Sequence, residues 1–137
     1  MTKDDALFET VATLFAITVL VDEHEREPEM VEFVHACTVH NHRMRPSRIV
    51  TPGEWLSWFS TSRQTILDAL DREGDTYKIA HLSRITEPEL RRSLLSSMFT
   101  ISTADHEFHA SENALIKVAL ATWDARPPTS AELERVA

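Results

Sequence analysis

Apolar residues recur at three-to-four spacing along almost the whole chain, with polar residues between them. That period matches the turn of an α-helix. Leu7, Val11, Leu14, Phe15, Thr18 and Val21 predict a first helix from about Asp4 to Asp22. Pro28 opens a second, since a first-turn residue has no intrahelical use for an N–H. This second helix carries Met30, Val31, Phe33, Val34 and Cys37 and ends near His42. Thr51-Pro52-Gly53-Glu54 has capping-box spacing and starts a third helix through Trp55, Trp58, Phe59, Ile66, Leu67 and Leu70. Gly74 interrupts the pattern, and a short helix from about Tyr77 to Leu82 follows.

Thr86-Glu87-Pro88-Glu89 repeats the box spacing and starts a fifth helix through Leu90, Leu94, Leu95, Met98 and Ile101. A sixth runs from near Ser111 through Leu115, Val118 and Ala119 to Trp123. Pro127-Pro128 forces extended backbone, and Thr129 with Glu132 caps a last short segment. No alternating period-two stretch survives. The expectation is an all-α, single-domain helical bundle of about six or seven helices. It covers residues 1–137, with a core over about 4–124 and a short C-terminal segment at 125–137.

A constant offset of 83 residues lays the first helix pair over the last. Leu7 meets Leu90, Val11 meets Leu94, Ala12 meets Leu95, Phe15 meets Met98, Val21 meets Ala104, Val31 meets Ala114 and Ala36 meets Ala119. Helical spacing alone aligns many apolar positions. The connections carry more information: Asp22 meets Asp105 and Glu29 meets Glu112, so each keeps an Asp followed seven residues later by a Glu. The two glutamates fall in first helical turns, which favour negative charge by roughly 0.3–1 kcal/mol. The two aspartates end helices, where the dipole opposes them. Either each folds over its connection to accept N–H bonds from the next helix, or each Asp–Glu pair holds a hard divalent cation through oxygen.

Composition narrows the chemistry. The chain has 137 residues, 42% of them hydrophobic, with 22 acids against 14 bases and a net charge of −8. This is an ordinary globular composition, and a chain of this length buries about two-thirds of its unfolded surface. The two glycines, Gly53 and Gly74, are too few for a phosphate loop, a dinucleotide fingerprint or a turn-dense barrel. Cys37 is the single cysteine, which excludes an internal disulfide and a multi-cysteine zinc site. The acidic N-terminus is unlike a secretory or transit segment. The longest apolar run, Val11 to Val21, has eleven residues, against about 20 for a membrane span. A cytoplasmic protein without membrane insertion is expected.

Residues 1–35 hold nine acids and two bases, whereas residues 36–50 hold three arginines and no acid. The overall charge disfavours nucleic acid. Arg43, Arg45 and Arg48 either complement the dipole at a helix end or hold an anion.

Ile101-Ser102-Thr103-Ala104-Asp105-His106-Glu107-Phe108-His109-Ala110-Ser111-Glu112-Asn113-Ala114-Leu115-Ile116 resembles the signature of the TerB-like tellurite-resistance family. That signature runs alanine-aspartate-glycine, a polar and an apolar residue, then a glutamate opening an apolar helix. Phe108 fills the apolar place, and the segment from Val21-Asp22 to Glu29 resembles the companion motif. The family is also similar to the N-terminal domain of membrane-anchored DnaJ-type co-chaperones. His106 and Glu23 stand where the family has glycine, so differently shaped corners are expected here. The resemblance implies an all-helical domain with pseudo-twofold halves, linked to metal or stress responses. An acidic metal site has been proposed for that family, and no catalytic activity is established for it.

His24, His106 and His109 flank the carboxylates and would be auxiliary ligands if a transition metal bound. A divalent ion is the one cofactor the pattern admits, with none organic. His35 and His81 read as partly buried structural residues, and His40 and His42 as pointing to opposite sides of a helix end. Metal-protease and serine-elbow motifs are missing, so an enzyme is disfavoured and a metal-dependent hydrolase is the weakest reading. Trp55, Trp58 and Phe59 form an aromatic cluster that is either core or, through Trp55 and Trp58, an anchor for a protein partner or a second copy. The competing functions are therefore a cation-binding stress protein and a pure interaction module.

Overall fold

The first helix is predicted to show one apolar stripe, but it is buried on every side. In the computed structural model, which describes residues 2–21, 27–104 and 113–125, helix α1 spans Lys3–Leu20, and each residue from Val11 to Leu20 is buried. A helix can be buried all round only if its polar side chains are satisfied internally. Thr10, Thr13 and Thr18 meet that condition by donating to the carbonyls of Ala6, Glu9 and Leu14, four residues back.

Around α1 pack α2 (Glu27–Met44), α3 (Pro52–Glu73), α4 (Asp75–Leu82), α5 (Pro88–Ser102) and α6 (Ala114–Thr122), all of which touch it. Among the described residues there are six helices and no strand, as the periodicity predicts. No described helix is long and apolar enough to cross a membrane. The offset repeat is respected in burial: Val11 and Leu94, Phe15 and Met98, and Ala12 and Leu95 are buried pair by pair.

The caps explain most of the boundaries. Thr2 and Asp5 form a capping box on α1 that the sequence reading missed, and Thr51 and Glu54 form the expected one on α3. At the fifth helix the expectation is corrected: Glu87 is the N-cap, with no side-chain cap bond. The helix starts one residue later than the Thr86 box requires, because Pro88 takes the first helical position. Gly74 (φ 58°) ends α3 and begins α4, a reversal that favours glycine.

The sixth helix begins at Ala114, capped by Asn113. The Oδ1 of buried Asn113 accepts from the N–H groups of Leu115 and Ile116, at 2.9 and 3.1 Å. Its Nδ2 donates to Thr18 O at 3.0 Å, one of the last carbonyls of α1. One side chain thus satisfies both a helix start and a helix end. Trp123 Nε1 donates to Leu82 O at 2.9 Å and ties the end of α6 to α4. Ser111, Pro127, Pro128, Thr129 and Glu132 lie outside the described residues.

Candidate functional site

Two features predicted separately from sequence, the tryptophan cluster and the basic stretch, converge on one groove. The reason lies just after α2. Asn41 Nδ2 donates to Arg48 O at 2.8 Å, and Arg48 N donates to Arg45 O at 2.9 Å, so the chain folds back on the helix end. This turn carries Arg45 and Arg48 to the start of α1. There Arg45 Nη1 donates to Asp5 Oδ1 at 3.0 Å and Arg48 Nη1 reaches the same oxygen at 3.4 Å. The Arg45 bond, with lesser help from Thr2 and Arg48, lowers the Asp5 carboxyl to about 2. Arg45 also lies 4.3 Å above the ring centroid of Phe8, a cation–π distance.

Phe8 meets Trp55 at 5.4 Å between ring centroids, and Trp58 stacks on Phe33 at 6.4 Å. The groove between them encloses about 500 Å³ and is lined by Asp5, Phe8, Glu9, Ala12, Arg45, Arg48, Trp55 and Trp58. The two tryptophans play different parts. Trp55 is buried, and its indole N–H has no hydrogen-bond partner among the described residues. Trp58 is half-exposed. Arg45 is held, whereas the Arg48 side chain is 60% exposed and its contact with Asp5 is long, leaving it donors to spare.

Arg43 does not join them. Its Nη1 donates to Ser93 Oγ on α5 at 3.3 Å, on another side of α2. The three arginines therefore do not form one anion site. His40 and His42 do diverge, one buried and the other exposed. His35 departs from expectation: it is exposed, because it lies with Val31 and Thr38 on the outward face of α2. His81 is half-buried, its Nδ1 donating to Tyr77 O at 3.0 Å. Cys37 is fully buried, and burial pushes its thiol far up, which fits a packing role.

Of the proposed cation ligands, Glu29 is described and is only 1% exposed, in the first turn of α2. Asp22, His24, Asp105, His106, His109 and Glu112 lie outside the described residues. Among the described residues no three His, Cys, Asp or Glu side chains group in a way that could hold a metal ion. The described flanks of the two acidic connections are nevertheless joined. The Asn113–Thr18 bond sets the residue after Glu112 against the last turn of the helix that precedes Asp22. The sequence reading missed Asn113, although an asparagine just ahead of an apolar run is an N-cap signal.

Comparison with known proteins points to a family. The family model of tellurite resistance protein TerB matches residues 61–127, from the middle of α3 past the end of α6. The second acidic connection lies inside that stretch and the first lies ahead of it. No curated protein and no solved structure matches the chain.

Proposed function

We propose, from the premise that the chain is TerB-like over residues 61–127, that it is a stress-type binding protein whose paired acidic connections hold a divalent cation. Asp22 and Glu29 would supply oxygen ligands from one connection, and Asp105 and Glu112 from the other. The observation that carries this reading is the Asn113–Thr18 bond, which joins the described flanks of the two connections. Two carboxylates make a poor site for an ion that prefers six to eight oxygens, whereas four approach what calcium requires. His24, His106 and His109 would tilt the preference toward zinc or another transition metal if they took part.

The test is a thermal melt of chelator-stripped protein titrated with calcium, magnesium, zinc and manganese, beside an Asp22→Asn, Asp105→Asn variant. A saturable rise in Tm in the parent and a flat response in the variant supports the site and ranks the ions. A flat response in both retires it.

The groove supports a second reading, in which the protein docks a partner segment. Half-exposed Trp58 offers the aromatic surface and Arg48 the available cation, which together fit an apolar side chain next to a carboxylate. Crosslinking to partners in the presence of chelator, with Trp58→Ala and Arg48→Glu as controls, tests this reading apart from the first. Loss of the same crosslinks in both variants supports it, and crosslinks unchanged in both oppose it.

A further inference from the structure

A second groove lies between α2 and α5. It encloses about 220 Å³ and is lined by Val31, Glu32, His35, Ala36, Val39, Ser97 and Thr100. Ser93 stands one turn before Ser97 on α5 and His40 follows Val39 on α2, so the pair sits between the two helices, next in sequence to two residues of the groove's lining. Their side chains meet there, with His40 Nε2 3.1 Å from Ser93 Oγ.

The direction of that bond is fixed by the other ring nitrogen. His40 Nδ1 lies 2.9 Å from Ala36 O, and a carbonyl can only accept, so the proton is on Nδ1. Nε2 therefore offers a lone pair, and Ser93 O–H must donate to it. The imidazole is 1% exposed and packs edge-on against Phe15 at 5.1 Å. Burial lowers its basicity below the usual histidine range and keeps it neutral at pH 7. Ser93 is half-exposed. Arg43 Nη1 donates to that same oxygen at 3.3 Å, placing a guanidinium where negative charge would develop. A hydroxyl within reach of a base, a base oriented by a third group and a neighbouring cation are together the arrangement of an activated nucleophile.

We propose that Ser93 is a nucleophilic serine that accepts an acyl group from activated acyl esters and thioesters, with His40 as its general base. Ser93 Oγ forms a bond to the acyl carbon, and the bond from that carbon to the leaving oxygen or sulfur breaks. The hydroxyl proton passes to His40 Nε2 and then to the leaving alkoxide or thiolate. No oxidation state changes, and the products are a Ser93 ester and a free alcohol or thiol. Arg43, bonded to the attacking oxygen, favours the loss of its proton. This site shares no residue with the acidic connections or the tryptophan groove, and it stands or falls independently of both.

The test is to treat the intact chain with p-nitrophenyl acetate and map acetylation by peptide mass spectrometry. In the folded chain Ser93 should acetylate at least about a hundredfold faster than the same residue in urea, the usual scale of general-base assistance. His40→Gln should abolish that excess. Because His40 is in the core, Arg43→Gln, an exposed change, is the second variant and should lower the rate with an unaltered melt. The proposal is overturned if Ser93 reacts no faster folded than unfolded. It is equally overturned if a folded His40→Gln or Arg43→Gln chain acetylates Ser93 at the parent rate.

Discussion

Arg45 Nη1 lies 3.0 Å from Asp5 Oδ1, and this contact joins the start of α1 to the turn that follows α2. Asp5 is also the third helical residue of α1 and accepts from Thr2 N and Oγ1, so one carboxylate caps a helix and anchors a loop. Its ionisation is linked to folding, since its folded value of about 2 is below the unfolded value of about 3.9. A lowered carboxyl contributes stability that is fully present above its unfolded value and is lost as pH falls through its folded one. Urea unfolding should therefore lose stability between about pH 4 and pH 2. Asp5→Asn should flatten that part of the profile and destabilise the protein at pH 7. An unchanged acid profile in the variant would show that the contact does not couple to folding.

Asn113→Ala should be among the costlier single substitutions on α6. It removes an N-cap, worth about 0.5–2 kcal/mol. It also leaves Thr18 O without its buried donor, an added cost of about 1–3 kcal/mol. Chemical denaturation monitored by circular dichroism measures the loss. Asn113→Asp keeps the acceptor for Leu115 and Ile116 but not the donor to Thr18, so it should fall between the parent and the alanine variant. If the two variants are equally destabilised, the cap contributes little and the Thr18 bond dominates.

Cys37 should be silent toward a thiol reagent in the folded chain. Its side chain is fully buried on α2, and burial disfavours the thiolate that would react. A disulfide-exchange reagent should therefore modify it at the rate at which the core opens, and immediately in urea. Rapid modification in native buffer would contradict the packing of α2 against α1. The same thiol gives a direct reading of whether Asn113→Ala loosens the whole core or frays α6 alone.

The helices were legible because period and caps coincide: Pro28, Thr51 and Gly74 mark boundaries the structure keeps to within a residue or two. The all-round burial of the second half of α1 was hidden, because Thr10 and Thr13 look like a polar face until their back-bonds to Ala6 and Glu9 are seen. The groove was legible only in parts. Trp55, Trp58, Arg45 and Arg48 stood out individually, but their meeting depends on the Asn41–Arg48 bond, which no periodicity encodes. The His40–Ser93 pair was not legible at all, since 53 residues separate its members and neither lies in a recognisable motif.

The two glycines should respond to alanine in opposite directions. Gly74 has φ 58° and ψ −131°, and a Cβ there meets nothing within 4 Å, so crowding plays no part. The penalty of Gly74→Ala is backbone strain alone, of order 1–3 kcal/mol. Gly53 is in the first turn of α3, where a Cβ would meet only Thr51 Oγ1 at 4.0 Å. Alanine fits that backbone and restricts the unfolded chain, so Gly53→Ala should stabilise by about 0.4–1 kcal/mol. Paired urea titrations of the two variants measure both signs. If Gly74→Ala proves neutral, the α3–α4 reversal can be made without a left-handed residue, and the two helices would be free to join as one.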